Sequence, residues 1–301
     1  MKIIVTGGAG FVASHAVDKL IAKGHDVIVI DNLTNSSEAN INPKAKLVQK
    51  SILDNLSSEF HGIDVVIHHA ANVFVTKSIE DPVFDAQINI MGSLNILEHC
   101  RKAGVKKIIY ANSGGAAAGE NSRIVTESSL IKPLCPYGVS KHTVEHYLFV
   151  YNLLYGLKYT SLRYANIYGP RQNPRAEGGV VAIFIDKMLN NEQPVIYGNG
   201  GQTRDLVYVE DVADANMLAL TKADNQCINI GTGKDTSVNQ LFKTLKKILE
   251  YKKEPIYKPA RKGEIIRSVL SPRKAKSLLG WVPKHTLEQG LKKTVDYYRQ
   301  S

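Results

Sequence analysis

The sequence predicts an α/β protein built on a doubly wound parallel sheet, with a smaller C-terminal lobe. Three observations carry that expectation. Short runs rich in Val and Ile alternate with segments of helical period through the first half of the chain. The first run feeds a glycine-rich turn, Gly7-Gly8-Ala9-Gly10, which opens a helix, and the next run ends in an acid, Asp31. Strand runs without polar alternation are covered on both faces, as parallel sheets are.

Residues 2–6 are the first strand run. After the glycine turn, a helical pattern through Ala16, Leu20 and Ile21 stops at Gly24, and residues 27–30 form the second strand. Gly7 permits the tight turn and Gly10 lets backbone N–H groups approach a pyrophosphate at the helix N-terminus. Ala13 stands where a third glycine usually lets helix meet strand. This is the Rossmann pattern for a dinucleotide. Asp31 is placed to accept hydrogen bonds from the adenosine ribose, and its charge repels a 2′-phosphate, which favours NAD over NADP. Further strands are expected at 47–49, 65–68, 107–111 and 159–163. Helices are expected at 86–101 and 136–155, the second started by Pro136 and stopped by Gly156. Asp31, Ala70-Ala71, Asn112-Ser113 and Tyr164 fall at carboxyl ends of strands, so one crevice should collect them. His68 and His69 are adjacent in an extended segment, so they point to opposite faces and read as packing residues rather than metal ligands.

After Arg163 the texture changes. Residues 164–179 read as loop, 180–189 as helix, 195–197 as strand and 198–201 as turn. A helix at 211–220 precedes a strand at 227–230 that is placed to rejoin the main sheet, and 238–250 and 287–298 are helical. The expected organisation is an NAD-binding Rossmann domain over 1–165 and a smaller lobe over 166–301, with segments such as 206–230 able to return to the main sheet.

Within the helix at 136–155, Tyr137 and Lys141 are four residues apart and share one face. A neighbouring ammonium favours the phenolate, which would make this tyrosine a usable base near neutral pH. A packed Tyr beside a solvated Lys would show the same spacing.

The formal net charge of +10 is spread, with much of it at Lys243, Lys246, Lys247, Lys252, Lys253, Arg261, Lys262 and Lys292. A solvated helix face accounts for it better than a nucleic-acid surface, and a few arginines would suit an anionic substrate. Cys100, Cys135 and Cys227 are far apart and form no Cys-x-x-Cys pair, which argues against a disulfide framework and a zinc site. No apolar run reaches membrane-spanning length, and residues 1–5 enter a strand directly, leaving no room for a signal peptide. A cytoplasmic protein with no membrane partner is expected.

Taken together, these residues resemble the extended short-chain dehydrogenase/reductase family, and within it the UDP-glucose 4-epimerases. The likeness covers nearly the whole chain: Thr6 to Phe11, Asp31-Asn32-Leu33, Tyr137 to Lys141, Arg163 to Arg171 (RYANIYGPR), Gln202 to Asp205 (QTRD), Arg261 to Glu264 (RKGE) and Leu279-Gly280-Trp281. The resemblance implies that Gly7, Gly10, Phe11 and Val12 hold the NAD pyrophosphate and that Asp31 and Asn32 hold the adenosine. It implies that Ala70, Ala71 and Asn89 line the cofactor channel, that Lys141 binds the nicotinamide ribose and that Tyr164 sits near the nicotinamide. Asn166, Val180, Tyr197, Arg204, Arg261 and Glu264 fall where the family holds uridine diphosphate, and Ser268 where it places a gatekeeper beside the sugar 2-substituent. A homodimer through the helices near Ala86 and Tyr137 is implied too, and Leu148, Tyr151 and Leu154 suit either an interface or the core.

Three positions depart from the family pattern. Ser51 replaces an aspartate that touches adenine, a contact that backbone around Ile52 could replace. Residues 116–119 replace a run ending in Tyr-Gly, which should leave space at the mouth of the site. Gly114 stands at the position of the catalytic Ser or Thr, while Ser113 should point elsewhere. Either a water bridges to the tyrosine, the favoured expectation, or the loop shifts to present Ser113. The implied reaction is NAD-dependent epimerisation at C4 of a UDP-hexose through a 4-keto sugar, with Tyr137 as base. A 4-reductase, a uronic-acid epimerase or a non-catalytic NAD-binding protein that binds RNA are the alternatives. The Asp-Glu pair of a 4,6-dehydratase is missing at Gly115-Ala116.

Overall fold

The computed structural model describes residues 1–300 apart from Ser122, 176–178 and 262–264. In chain order the first half contains β1 (Lys2–Thr6), α1 (Phe11–Ala22), β2 (Asp26–Ile30), β3 (Lys46–Val48) and β4 (Val65–His68). It continues with α2 (Val75–Glu80), α3 (Pro82–Ala86), a π-turn (Gln87–Met91), α4 (Gly92–Ala103), β5 (Lys107–Ser113), α5 (Gly114–Ala118), α6 (Pro136–Tyr155) and β6 (Lys158–Tyr164). The expected helix at 86–101 is thus a composite, capped at its start by Asp81, whose carboxylate accepts the Phe84 N–H at 2.9 Å. Helix α6 spans the predicted residues and ends at Gly156, whose φ of 71° is the left-handed stop.

The second half adds β7 (Asn166–Tyr168), α7 (Val180–Leu189), β8 (Val195–Tyr197), β9 (Thr203–Arg204), β10 (Leu206–Tyr208), α8 (Val209–Ala219) and β11 (Gln226–Ile230). After these come β12 (Thr236–Ser237), α9 (Val238–Ile248), β13 (Ile256–Lys258), β14 (Arg267–Ser268), α10 (Arg273–Leu279) and α11 (Leu287–Tyr298). Apart from β3, the two- and three-residue strands pair only with one another. They are too short for a periodic pattern to show in the sequence.

The main sheet is parallel, with order β11-β6-β5-β4-β1-β2-β3. The chain winds one way through β1, β2 and β3 and the other way through β4, β5 and β6, so the order reverses between β1 and β4. Ligands in such sheets lie beyond the strand ends at that point. Strand β11 pairs with β6 in register Ile230↔Tyr164, which returns the chain to the sheet as expected.

Strand residues alternate between two cores. Ile3, Val5, Ile67 and Ile109 pack with Val212 and Trp281 on one face. Ile4, Val66 and Ile108 pack with Ile96, Leu97 and Leu148 on the other. A third cluster, including Phe184, Ile185, Leu241 and Val295, builds the C-terminal lobe. Trp281 is pinned by its indole N–H, which donates to the Asp211 carbonyl at 2.7 Å. No described helix is long and apolar enough to cross a membrane.

Helix α6 is fixed to the sheet by a buried ion pair. Glu145, 5 % exposed, accepts from Arg163 Nε at 2.9 Å and Nη2 at 2.6 Å, and from Ser161 Oγ at 2.6 Å. Burial pushes the Glu145 carboxyl up, but His142, Arg163 and Ser161 outweigh it and hold the group well below the usual carboxylate range. A lowered folded-state pKa contributes stability above the unfolded value that is lost as pH falls. Glu145→Leu, which strands the Arg163 charge, is expected to cost about 3–5 kcal/mol in urea unfolding at pH 7. The gap to wild type should narrow on acidification below about pH 4.5. A constant gap across that range would contradict the assignment.

Candidate functional site

A cavity of about 540 Å³ opens beyond the carboxyl ends of β1, β2, β4, β5 and β6. Gly7 and Gly10 form one wall, Asp31 and Asn32 one end, Ala70 and Ala71 a side, and Ser113, Tyr137, Lys141 and Tyr164 the floor. The single crevice expected from the strand ends is present.

The glycine turn is built for close approach. Gly7 has φ +69°, and a Cβ there would lie 2.7 Å from the Ala70 backbone nitrogen, so no other residue fits without moving the chain after β4. Asp31 braces the turn from β2. One carboxylate oxygen accepts the Ala9 N–H at 3.0 Å, and the other accepts the Leu33 N–H at 2.9 Å and the Ser36 hydroxyl at 2.7 Å. Phe11, Val12 and Ile52 line the same end, with Ser51 beside them. A glycine cradle at a helix N-terminus, with an acid at the far strand end, fits a dinucleotide.

At the floor, Tyr137 and Ser113 both line the cavity, and the Ser113 side chain acts on the Tyr137 hydroxyl. Ser113 was expected to point elsewhere, and the structure places it at the cavity. Strand β5 runs two residues beyond its predicted end, so Ser113 is its last residue and faces the cavity. A Cβ on Gly114 would point into the core, 2.4 Å from Leu270 Cδ1. Of the two neighbours, Ser113 is therefore the one whose side chain can face the cavity. The small residues after it do not open the mouth either. Ala117 and Ala118 are buried in α5, a Cβ on Gly115 would meet Ser268 Oγ at 2.7 Å, and one on Gly138 would meet the Ala116 carbonyl at 2.4 Å. The volume is filled by α5 packing on α6 and on β14 with the segment after it.

The charge state also differs from expectation. Burial pushes the Tyr137 hydroxyl well above the ordinary tyrosine range, and the Ser113 side chain only partly opposes it. Lys141 is itself pulled down to about 7 by burial, with Asp85 and Glu145 opposing. Its ammonium rests over the Tyr110 ring, 4.2 Å from the centroid. A buried, partly charged lysine does not by itself bring Tyr137 to neutral pH, so the phenol is protonated in the protein alone.

The two histidines do face opposite ways, into hydrogen-bond networks. Ser93 Oγ donates to the Asn89 carbonyl at 2.6 Å, so it accepts from His68 Nε2 at 3.0 Å. His68 Nδ1 then accepts from Thr6 Oγ1 at 2.6 Å, a tautomer assigned by this network. On the other face His69 meets Asn216 Oδ1 at 3.2 Å, and Tyr164 donates to the same oxygen at 3.1 Å.

Asn89 does not line the cavity. It is 1 % exposed and holds Asn72, which does line it: Asn72 N–H donates to Asn89 Oδ1 at 2.8 Å, and Asn89 Nδ2 donates to the Asn72 carbonyl at 3.0 Å. Asn72, Lys77 and Gln172 also line the cavity and were missed, because they sit in loops or a short helix without a motif. Asn112 was expected at a strand end and is there.

Of the residues expected at a diphosphate, Asn166 lines the cavity, and its N–H donates to the Asp205 carbonyl at 2.9 Å, next to Arg204. Arg204 pairs in register with Ser268 across β9 and β14. The Arg261 guanidinium stacks on the Tyr197 ring, 3.9 Å from its centroid. Val180 is half-buried, packs into the third core and does not line the cavity. Glu264 lies outside the described residues. Among the C-terminal lysines, Lys246 pairs with Glu254 and Lys247 with Glu288. No group of three or more metal-binding side chains occurs among the described residues.

Comparison with known proteins agrees with this geometry. Residues 3–231 match the model of the NAD dependent epimerase/dehydratase family. The UDP-glucose 4-epimerase of Thermotoga maritima, solved with UDP-glucose, is 50 % identical with TM-score 0.97, over 100 % of this chain and 99 % of that one. The UDP-glucose 4-epimerase of Thermus thermophilus, in complex with NAD, is 39 % identical, TM-score 0.94, over 100 % of both chains. The UDP-N-acetylglucosamine 4-epimerase from Methanobrevibacter ruminantium, in complex with UDP-N-acetylmuramic acid, is 34 % identical, TM-score 0.95, over 99 % and 98 %. A parallel sheet with a glycine cradle at its switch point, and full-length likeness to such enzymes, place this chain in the NAD dependent epimerase/dehydratase family.

Proposed function

We propose that this protein interconverts UDP-hexoses that differ at C4, with NAD retained between turnovers. The observation that carries the reading is one cavity that Ser113, Tyr137 and Lys141 line together with the glycine cradle of Gly7 and Gly10. Bound NAD would supply a reversible hydride acceptor for the sugar C4. Gly7, Gly10, Phe11 and Val12 would hold its pyrophosphate, and Asp31, Asn32 and Ile52 its adenosine end. Ala70 and Ala71 would flank it, with Lys141 at the nicotinamide ribose and Tyr164 nearby.

Tyr137 would take the proton from the sugar 4-hydroxyl, with Ser113 Oγ bridging sugar oxygen and phenol. Desolvation raises the proton affinity of Tyr137, so the base forms only once positive charge joins Lys141 in the cavity. The 4-keto sugar then turns over, which needs a firm hold on the diphosphate and a loose hold on the sugar. Arg204 and Arg261 have the planar forks that suit phosphate oxygens, with Asn166 and Tyr197 beside them. Ser268, 7 % exposed and with its hydroxyl against Gly115, is proposed as the gatekeeper for the sugar 2-substituent. We further propose a homodimer through α4 and α6. Leu148 and Tyr151 belong to the core, but Phe149, Leu153 and Leu154 are 57, 70 and 61 % exposed on one helix. Light scattering should read twice the chain mass.

Incubation with UDP-glucose, UDP-galactose and their N-acetyl forms, without added NAD, should give C4 epimers by product analysis. A uronic-acid epimerase or 4-reductase would instead act on UDP-glucuronate or need external reductant. Tyr137→Phe is expected to reduce turnover by more than about 10²-fold while NAD stays bound. Ser113→Ala should also lower kcat, by about 10–10²-fold, and a silent Ser113→Ala would remove it from the mechanism. Gly114→Ser is expected to lower the melting temperature through its clash with Leu270 and not to raise activity.

With serine at position 268, activity on the N-acetyl sugars is expected alongside the simple hexoses. Ser268→Tyr should suppress the N-acetyl activity selectively, with its melting temperature measured alongside because the site is buried. Equal loss on both substrate classes in a folded variant would count against the gatekeeper role.

A further inference from the structure

The strand that carries Ser268 is tied to the chain after α5 by a carboxylate that the chemistry above does not use. Helix α5 ends at Gly119, whose φ of +68° turns the chain sharply, and a Cβ there would collide with the Lys132 carbonyl. The next residue is Glu120. Its Oε2 accepts the Ile266 N–H at 2.7 Å, and its Oε1 accepts the Arg267 N–H at 3.3 Å. Hydrogen bonds from N–H groups to an ionised carboxylate are the strong kind. The Ile266 side chain is 62 % exposed, so its burial does not explain where this backbone lies.

Strand β14 is held differently at its two ends. Downstream, the Val125 N–H donates to the Val269 carbonyl and the Ser271 N–H to the Val125 carbonyl, both at 2.8 Å. The Leu270 N–H donates to Asp205 at 3.2 Å, and Val125, Val269, Leu270 and Asp205 are all buried. Upstream, the holds lie at the surface. One is Glu120. The other is the fork of Arg267, whose Nε and Nη2 donate to Asp235 at 2.9 and 2.7 Å. Asp235 also accepts from Thr203 Oγ1 at 2.7 Å, so that pair ties β14 to β9 within the lobe. Of the two, Glu120 is the one that crosses to α5. The crossing matters because the Ser268 hydroxyl lies against Gly115 of α5, and Ser268 pairs in register with Arg204. Helix α5 starts from Ser113, its N-cap. The spacing of α5 and β14 thus sets how far Ser268 and Arg204 stand from Ser113.

We propose that Glu120 is a positioning residue for nucleotide-sugar binding: by holding the Ile266 and Arg267 N–H groups, it keeps β14, with Ser268 and Arg204, at a set distance from Ser113. This rests on the reading of the site given above, and its test separates the two. Glu120→Ala removes both acceptors, while Glu120→Gln keeps one carbonyl oxygen for the Ile266 N–H. In Glu120→Ala, hydrogen exchange of the Ile266 and Arg267 amides is expected to quicken by about tenfold, with the Val125 and Ser271 amides unchanged. Calorimetric titration with UDP should give a Kd raised by about tenfold. KM for UDP-glucose should rise equally while kcat stays within about twofold, because Tyr137 and Lys141 are seated through Glu145 and not through β14. Glu120→Gln should recover most of the lost UDP affinity and of the amide protection. Unchanged UDP affinity in Glu120→Ala, or wild-type protein that binds no UDP, overturns the proposal. So does faster exchange that spreads to Val125 and Ser271, or a kcat that falls while KM stays. Weakened UDP binding with faster Ile266 and Arg267 exchange, in a protein that epimerises no UDP-hexose, would uphold Glu120 and instead sink the epimerase reading.

Discussion

The seating of α6 on the sheet is the constraint on which the site depends. Glu145 binds Arg163 and Ser161 of β6 from within the helix, so the helix can neither rotate nor slide against the strand. One turn earlier that helix carries Lys141, and one turn before it Tyr137. Strand β5, adjacent to β6 in register Ser113↔Tyr164, delivers Ser113 to the same point. A buried ion pair adds little net stability over apolar packing, but its directionality fixes register where a greasy contact would not. Here it fixes the distance between a phenol on a helix and a hydroxyl on a strand.

A second pin does the same for the C-terminal lobe. Asp205 is 0 % exposed, and its carboxylate accepts the N–H groups of Thr232, Gly233 and Leu270 and the Thr232 hydroxyl. It thereby joins β9 and β10 to the loop after β11 and to the segment after β14. Leu270 lies against Gly114, so a side chain at that position would have to displace the Leu270 methyl groups. The lobe's grip on Arg204 and the placement of Ser113 are therefore mechanically connected.

The titratable groups at the cavity floor share one bias. Tyr137, Lys141, His69 and Tyr164 are all shifted chiefly by burial, each toward its neutral form. In such surroundings a charge that enters with a ligand has a large effect on proton affinities, since little solvent screens it. That is the setting in which a tyrosine can be an acid before binding and a base after it.

The sequence by itself determined the parallel sheet, the glycine cradle, Asp31 and the Tyr137–Lys141 helix. Each rests on a local signal: a run of β-branched residues, a turn that only glycine can make, an i,i+4 spacing, and Pro and Gly at the helix ends. Only the tertiary structure decided which hydroxyl meets Tyr137. Ser113 and Gly114 are neighbours in the chain, so where the strand ends decides which face each presents. It also decided that Asn89 supports the wall rather than forming it, and that the buried Asp85 holds Asn72 and Asn89 from behind. Those facts depend on a π-turn and on contacts between residues far apart in the chain, where no local periodicity exists to be read.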